Sequence, residues 1–317
     1  MKRFIFAALA LAALWACTGA SPKYENRADA IAAQIHDPAS KYVVVACHRG
    51  DWRNYPENSI PAIESVIAME ADIVEIDIHM TADSVLVLCH DNNVKRTTNF
   101  SKVFRSEPDK SAKISDLTLE EIKSLSLKRA HGVAIDTLRM PTLREALLCT
   151  KDRICVNIDK GYDYYDKVLA ITEELGMTDQ VLIKSGRPLA EVRRKLSEHP
   201  HNMMYMPVIS VAEPAKMGTF DGYVAAQPPQ LAYELCFGKL NDNVRQAAQR
   251  ALASGSKIWV NTIWGSLCGE YDDDRAFDSP DPDAVYGPIL DLGTSIIQTD
   301  RPEFLIRYLE KKGRRKF

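Results

Sequence analysis

The stretch "DIVEIDIH", Asp72–His79, decides the architecture. In an extended chain successive side chains face opposite ways, so Val74, Ile76 and Ile78 share one face while Glu75, Asp77 and His79 share the other. Apolar residues turned toward covering helices leave the carboxylates pointing inward, as in a strand of a closed barrel. "RICVNID" repeats the pattern, with Ile154, Val156 and Ile158 on one face and Asn157 and Asp159 on the other. "YVVVAC", from Tyr42, is nearly continuous in β-branched residues, as befits a strand covered on both faces.

Working outward, strands are expected at Tyr42–His48, Asp72–His79, Val85–His90, Arg153–Asp159, Gln180–Ser185, Met203–Ile209, Gly222–Ala226, Lys257–Ile263 and Thr294–Thr299. Helices fall between most of them, around Pro61–Glu70, Tyr164–Leu175, Pro188–Glu198 and Asn243–Ser254. This alternation predicts an α/β protein, a (β/α)8 TIM-type barrel. Only "MTADS" separates the second and third candidates, too short for a parallel crossover, so one of them is expected to be a hairpin excursion. The polar stretch after His90, about 92–140, reads as a small insertion on the barrel rim. It holds one short helical pattern, Thr118–Leu127, opened by a Thr118/Glu121 capping box.

The first residues, "MKRFIFAALALAALWACTGA", set Lys2 and Arg3 ahead of an apolar run too short for a bilayer, which takes roughly 20 apolar residues. This is the layout of a secretory signal peptide over 1–16, and Leu14-Trp15-Ala16-Cys17 resembles the lipobox of bacterial lipoproteins, with Cys17 the lipidated residue. The expectation is an exported protein, periplasmic or on the cell surface, held to the membrane through Cys17. A linker and helix over 17–40 then lead into a barrel over 41–317. The net charge of −3 and a single basic cluster, "KKGRRKF", argue against nucleic acid as a partner and for a solvated tail. The other six cysteines lie mostly in apolar runs and read as buried thiols in preference to disulfides, and no spacing suits zinc. The acidic "GEYDDDRAFDSPDPDAVYG" lacks EF-hand spacing and reads as a solvated loop with helix-capping aspartates.

The chemistry sits at strand ends. Three inward acids, Glu75, Asp77 and Asp159, repel one another unless a positive group lies between them. One hard divalent cation, Mg2+ or Ca2+, fits such oxygen ligands; pairing of each acid with a Lys or Arg is the alternative. His48 and His90 each follow an apolar strand, and two imidazoles at one end of a barrel can act as acid and base near neutral pH.

"HRGDWRNYPENS", "EIDIHMTADSVLVLCHD", "RTTN", "MPTLREAL", "VNIDK" and "GTSIIQTDRPEFL", in that order, resemble the glycerophosphodiester phosphodiesterase family from His48 to about Leu309. The resemblance implies a TIM-type barrel, His48 and His90 as catalytic pair, and Glu75, Asp77 and Asp159 as metal ligands. It implies Arg49 as a phosphate clamp, with Glu57 and Asn58 lining or bracing the mouth; a plain turn and helix start is the alternative for these two. The family usually has a Glu where Asp159 stands and a Lys two residues later. Here Lys160 follows at once, and on a regular strand it points away from the mouth unless Gly161 permits a bulge. Lys184, in "VLIKSG", is the second phosphate-binding candidate. The strand "IWVNTIW" also departs from the family's wording, which brings Trp264 or Asn261 toward the mouth.

The implied activity is metal-dependent hydrolysis of a small glycerophosphodiester to glycerol 3-phosphate and an alcohol. A non-catalytic lipoprotein that binds a phosphorylated ligand, and a hydrolase of a lipid or cell-wall polymer diester, are the alternatives.

Overall fold

The computed structural model describes residues 24–129, 132–213 and 217–316. The signal peptide expected over 1–16 and Cys17 lie outside them. Nine strands form: β1 (Val44–Cys47), β2 (Ile73–Met80), β3 (Leu86–Leu88), β4 (Cys155–Asp159), β5 (Val181–Ser185), β6 (Met204–Ser210), β7 (Ala232–Cys236), β8 (Lys257–Asn261) and β9 (Ile296–Thr299). The sheet runs β1-β9-β8-β7-β6-β5-β4-β2-β3, and β1 also pairs with β2. Eight parallel strands therefore close on themselves as a (β/α)8 barrel. β3 is the hairpin excursion, antiparallel to the end of β2 through Ile78–Leu88 and Met80–Leu86.

The seventh barrel strand corrects the sequence expectation. Gly222–Ala226 overlaps the helix Met217–Val224, and the strand is Ala232–Cys236, "AYELC". Its inward Glu234 is only 4% exposed, so a charge interrupts the apolar run that would have marked a buried strand.

Side chains fill the barrel in layers. The lowest is apolar, with Val44, Ile73, Cys155, Leu182, Met204, Trp259 and Ile296, and the helix Arg27–His36 packs Ile31 and Ile35 against it. The outer face of each strand, with Val74, Ile76, Ile78, Val156 and Ile158, belongs to the larger core shared with the surrounding helices. The region after His90 packs Val94, Phe100, Ile114, Ile122 and Leu127 with Val87 and Cys89 as a cluster of its own. There the helix Leu119–Ser124 carries the Thr118/Glu121 capping box.

All six cysteines beyond the N-terminal stretch are free thiols. The basic C-terminal run is solvated at Lys311, Lys312 and Lys316, but the side chain of Arg315 turns in against Asp72 and lies over the Tyr42 ring. No helix among the described residues is long and apolar enough to cross a membrane.

Candidate active site

Above the apolar layer the interior turns polar, because most inward positions toward the strand C-termini, among them Glu75, Asp77, Asn157, Asp159, Lys184, Glu234, Asn261 and Gln298, carry a group that needs a partner. Register sets Glu75 beside Asn157 and Asp77 beside Asp159 on β2 and β4. Glu75, Asp77 and Asp159 each present an oxygen within 4.8 Å of the others. Burial pushes the Glu75 carboxyl well above its ordinary range, reinforced by the Asp77 charge and only partly opposed by Lys184. Burial acts on Asp77 in the same direction, yet Lys160 and Arg49 beside it hold that carboxyl below its ordinary value.

Pairing with a base, the alternative to a cation, is realised at two of the three acids. Lys160 pairs with Asp77 at 3.1 Å and approaches Asp159 at 3.6 Å. Glu75 has no basic side chain within 4 Å among the described residues and accepts only the Arg49 backbone N–H, at 2.9 Å. A three-carboxylate, all-oxygen set with an uncompensated buried member fits a hard divalent cation.

Lys160 reaches the mouth by an unexpected route. Its own backbone is left-handed (φ 62°), which ends the strand alternation and turns the ammonium back to Asp77 and to the His90 carbonyl at 3.0 Å. Gly161 supplies space, not curvature: a Cβ there would lie 2.5 Å from Ile183 Cδ1. Lys184 lies deeper in the barrel, paired with Glu234 at 3.1 Å and donating to Gln298 at 3.4 Å. Burial opposes its charge, but Glu234, Asp159 and Glu75 keep it protonated, its pKa raised above the ordinary lysine value. Asn261, buried below the mouth, donates to Glu234 at 2.7 Å.

Each histidine is tied to a carboxylate through Nδ1: His48 to Asp300 at 2.7 Å and His90 to Asp91 at 2.8 Å. An ionised carboxylate only accepts, so Nδ1 carries the hydrogen and Nε2 is left for a reacting group. Asp300 also accepts from Trp52 Nε1, and its own N–H donates to the buried Asp273 at 2.7 Å. Asp273 further accepts the hydroxyls of Thr262, Thr299 and Tyr286, which corrects the reading of the acidic loop as wholly solvated. Asp272, in contrast, caps the helix Asp273–Asp278 as expected. Trp264 sets its ring edge-on to His48, centroids 5.7 Å apart, and remains half exposed at the mouth.

Arg49 and Asn58 both adopt left-handed backbone (φ 55°), which turns the loop after β1 over the acids. Gly50 between them and Ala62 has a Cβ-forbidding approach of 3.0 Å. Asn58 clasps Asp77, donating Nδ2 to Oδ2 at 2.9 Å and accepting its backbone N–H at 3.0 Å. Ser59 then caps the helix Ile60–Ala68, so "PENS" is both a rim and a helix start. Glu57 accepts from Arg49 at 3.2 Å and, through both oxygens, from Arg96. Arg96 also grips Asp91 and so pulls its carboxyl well below the ordinary range. The Arg49 Nε is buried without a hydrogen-bond acceptor.

Sequence reasoning missed Arg96, Asp300, Trp52 and Glu234. "RTTN" and "QTDRP" flagged the first two as parts of motifs, without a role.

Fold and site together define a (β/α)8 barrel with two carboxylate-bound histidines set beside an oxygen-donor cluster at the C-terminal mouth. The chain belongs to the glycerophosphoryl diester phosphodiesterase family, whose model matches residues 48–253. A second model, described as a domain of unknown function, matches residues 205–309. A glycerophosphodiester phosphodiesterase of Caldanaerobacter subterraneus subsp. tengcongensis is 33% identical over 149 residues, 45% of this chain and 57% of that protein. Glycerophosphodiester phosphodiesterase 1 of Homo sapiens is 35% identical over 135 residues, 41% of this chain and 38% of that protein. The chain thus spans about half the length, or less, of the curated relatives it matches. A glycerophosphoryl diester phosphodiesterase structure from Parabacteroides distasonis superposes with a TM-score of 0.69 at 21% identity, covering 90% of this chain and 92% of that one. An Oleispira antarctica phosphodiesterase in complex with the product sn-glycerol-3-phosphate superposes at 0.58 and 18% identity, covering 85% and 97%.

Proposed function

We propose that the protein hydrolyses glycerophosphodiesters to glycerol 3-phosphate and an alcohol, with a divalent cation, Mg2+ or Ca2+, held by Glu75, Asp77 and Asp159. The observation that carries this reading is the convergence of two carboxylate-braced histidines, His48 and His90, on the three-acid cluster. The cation supplies charge neutralisation at the phosphoryl oxygens. Arg49, whose Nε lies 3.6 Å from Asp77 without a hydrogen-bond acceptor, offers its guanidinium to a non-bridging oxygen, and Lys160, with Lys184 deeper in the barrel, adds positive charge. One imidazole takes at Nε2 the proton of the attacking water, or of the neighbouring glycerol hydroxyl on a route through a cyclic phosphate that water then opens, and the other delivers a proton from Nε2 to the departing alkoxide; such catalysis contributes about 10²–10⁴-fold.

The relative bound to sn-glycerol-3-phosphate supports a glycerophosphate substrate. The polar lining of the mouth favours a deacylated diester over intact lipid. The test is a panel that pairs glycerophosphoethanolamine and glycerophosphoglycerol with their diacyl parents, read by released glycerol 3-phosphate. Turnover of the deacylated members alone is the expected result. Turnover of the lipids alone, or saturable binding without turnover of any member, overturns it. The N-terminal pattern further supports export and anchoring at Cys17, for which Cys17→Ser should move the protein from the membrane to the soluble fraction.

A further inference from the structure

We propose that a small cavity between the loop after β1 and the insertion is a subsite for an anionic group carried by the alcohol of the diester. This rests on the phosphodiesterase reading. Trp52 and Glu57 form one wall, and Arg96, Thr97, Lys128 and Arg129 the other, around about 70 Å³. A water's share of liquid volume is about 30 Å³, so the cavity has the scale of a carboxylate or phosphate group and not of a sugar ring.

Three of its lining residues bond to groups that hold the reacting centre. Trp52 donates to Asp300, which holds His48. Glu57 accepts from Arg49. Arg96 donates to Asp91, which holds His90. A diester with its phosphate at Arg49 therefore has one substituent directed along this wall.

The charge balance selects what that substituent carries. Three cations face a single carboxylate, and Glu57 already divides its oxygens between Arg49 and Arg96. Arg96 is matched by Glu57 and Asp91. Lys128 reaches only the Lys95 carbonyl, at 3.3 Å, and neither Lys128 nor Arg129 has a carboxylate partner among the described residues. Two positive charges are thus left over beside a site that already binds one anion. They attract a second anionic group and repel a quaternary ammonium such as that of choline.

The test compares glycerophosphoinositol with glycerophosphoinositol 4-phosphate, two substrates that differ by one phosphate, in the wild type and in the Lys128→Ala/Arg129→Ala double variant. The wild type should prefer the phosphorylated substrate about tenfold in kcat/KM at low salt, with the preference shrinking as ionic strength rises. The double variant should lose at least about fivefold more on the phosphorylated substrate than on the other. Equal kcat/KM for the two substrates in the wild type, or an equal loss on both in the variant, overturns the proposal. If neither inositol substrate turns over, release of glycerol 3-phosphate from glycerophosphoglycerol decides the phosphodiesterase reading separately, and its absence there makes that reading fail on its own. Calorimetry with inositol 1,4-bisphosphate then decides the subsite, where binding weakened in the double variant supports it and binding that is absent or unchanged by the substitutions refutes it.

Discussion

The two histidines are braced by different means. His48 is buried at the end of β1, and its carboxylate comes from Asp300, 252 positions away, beyond the strand that closes the barrel. Asp300 is fixed in turn by Trp52 and by Asp273. His90 stands on the loop that opens the insertion with its side chain 40% exposed, and its carboxylate is the very next residue, steadied by Arg96 across the mouth. One histidine is positioned by barrel closure, the other by a rim network that also holds Arg49 through Glu57. Buried polar bonds are costly to break, whereas exposed ones can be replaced by water, so the two braces should differ in what their loss does.

The largest effect tests what the pair has in common. His48→Ala and His90→Ala should each lower kcat/KM for glycerol 3-phosphate release by about 10³-fold or more, within the range for loss of acid–base catalysis. Near-full activity in either variant removes that residue from the chemistry and breaks the comparison at its root.

The next effect separates the braces. Asp300→Asn should cost about 10²-fold in kcat/KM, since an amide can leave His48 in the wrong tautomer and a buried donor unmatched. Asp91→Asn, at a solvent-reached position, should cost about tenfold or less. Equal losses would show that burial does not distinguish the two sites.

Arg96→Met sharpens the rim half of the comparison through pH. Arg96 holds the Asp91 carboxyl below the unfolded value near 3.9, so this contribution to stability is present above about pH 4 and is lost as pH falls toward the folded value. Chemical denaturation should therefore show the variant less stable by at most about 1 kcal/mol at pH 7, both groups being solvent-reached, with the gap closing below about pH 4. A gap that widens on acidification contradicts the assignment. The smallest effect lies away from the mouth: Thr118→Ala, which removes an exposed helix cap of the insertion, should cost about 0.5 kcal/mol in stability and leave kcat/KM unchanged. A large loss of activity there would tie the insertion's far side to catalysis.

What could be read from the sequence follows the same division. Strand periodicity displayed Glu75, Asp77 and Asp159 on inward faces, and the position of His48 and His90 after apolar runs marked the mouth, because local alternation determines which face a residue takes. Asp91 was adjacent to its histidine and visible. Asp300 was not, since its role depends on β9 closing against β1, a contact that no local pattern encodes. Glu234 hides for a related reason: it is an isolated charge in its own strand that gains meaning only when paired with Lys184 across the barrel, and it also disguises β7. The route by which Lys160 reaches the mouth is not legible, because its left-handed backbone breaks the alternation that makes its neighbours readable.

The most direct test is glycerol 3-phosphate release by metal-stripped protein as Mg2+ or Ca2+ is added back, in the wild type and in Glu75→Gln. The three-acid centre predicts no turnover without the cation, saturable recovery with it, and a much higher cation requirement in the variant. Full turnover by the stripped wild type, or a cation requirement unmoved by Glu75→Gln, would contradict it.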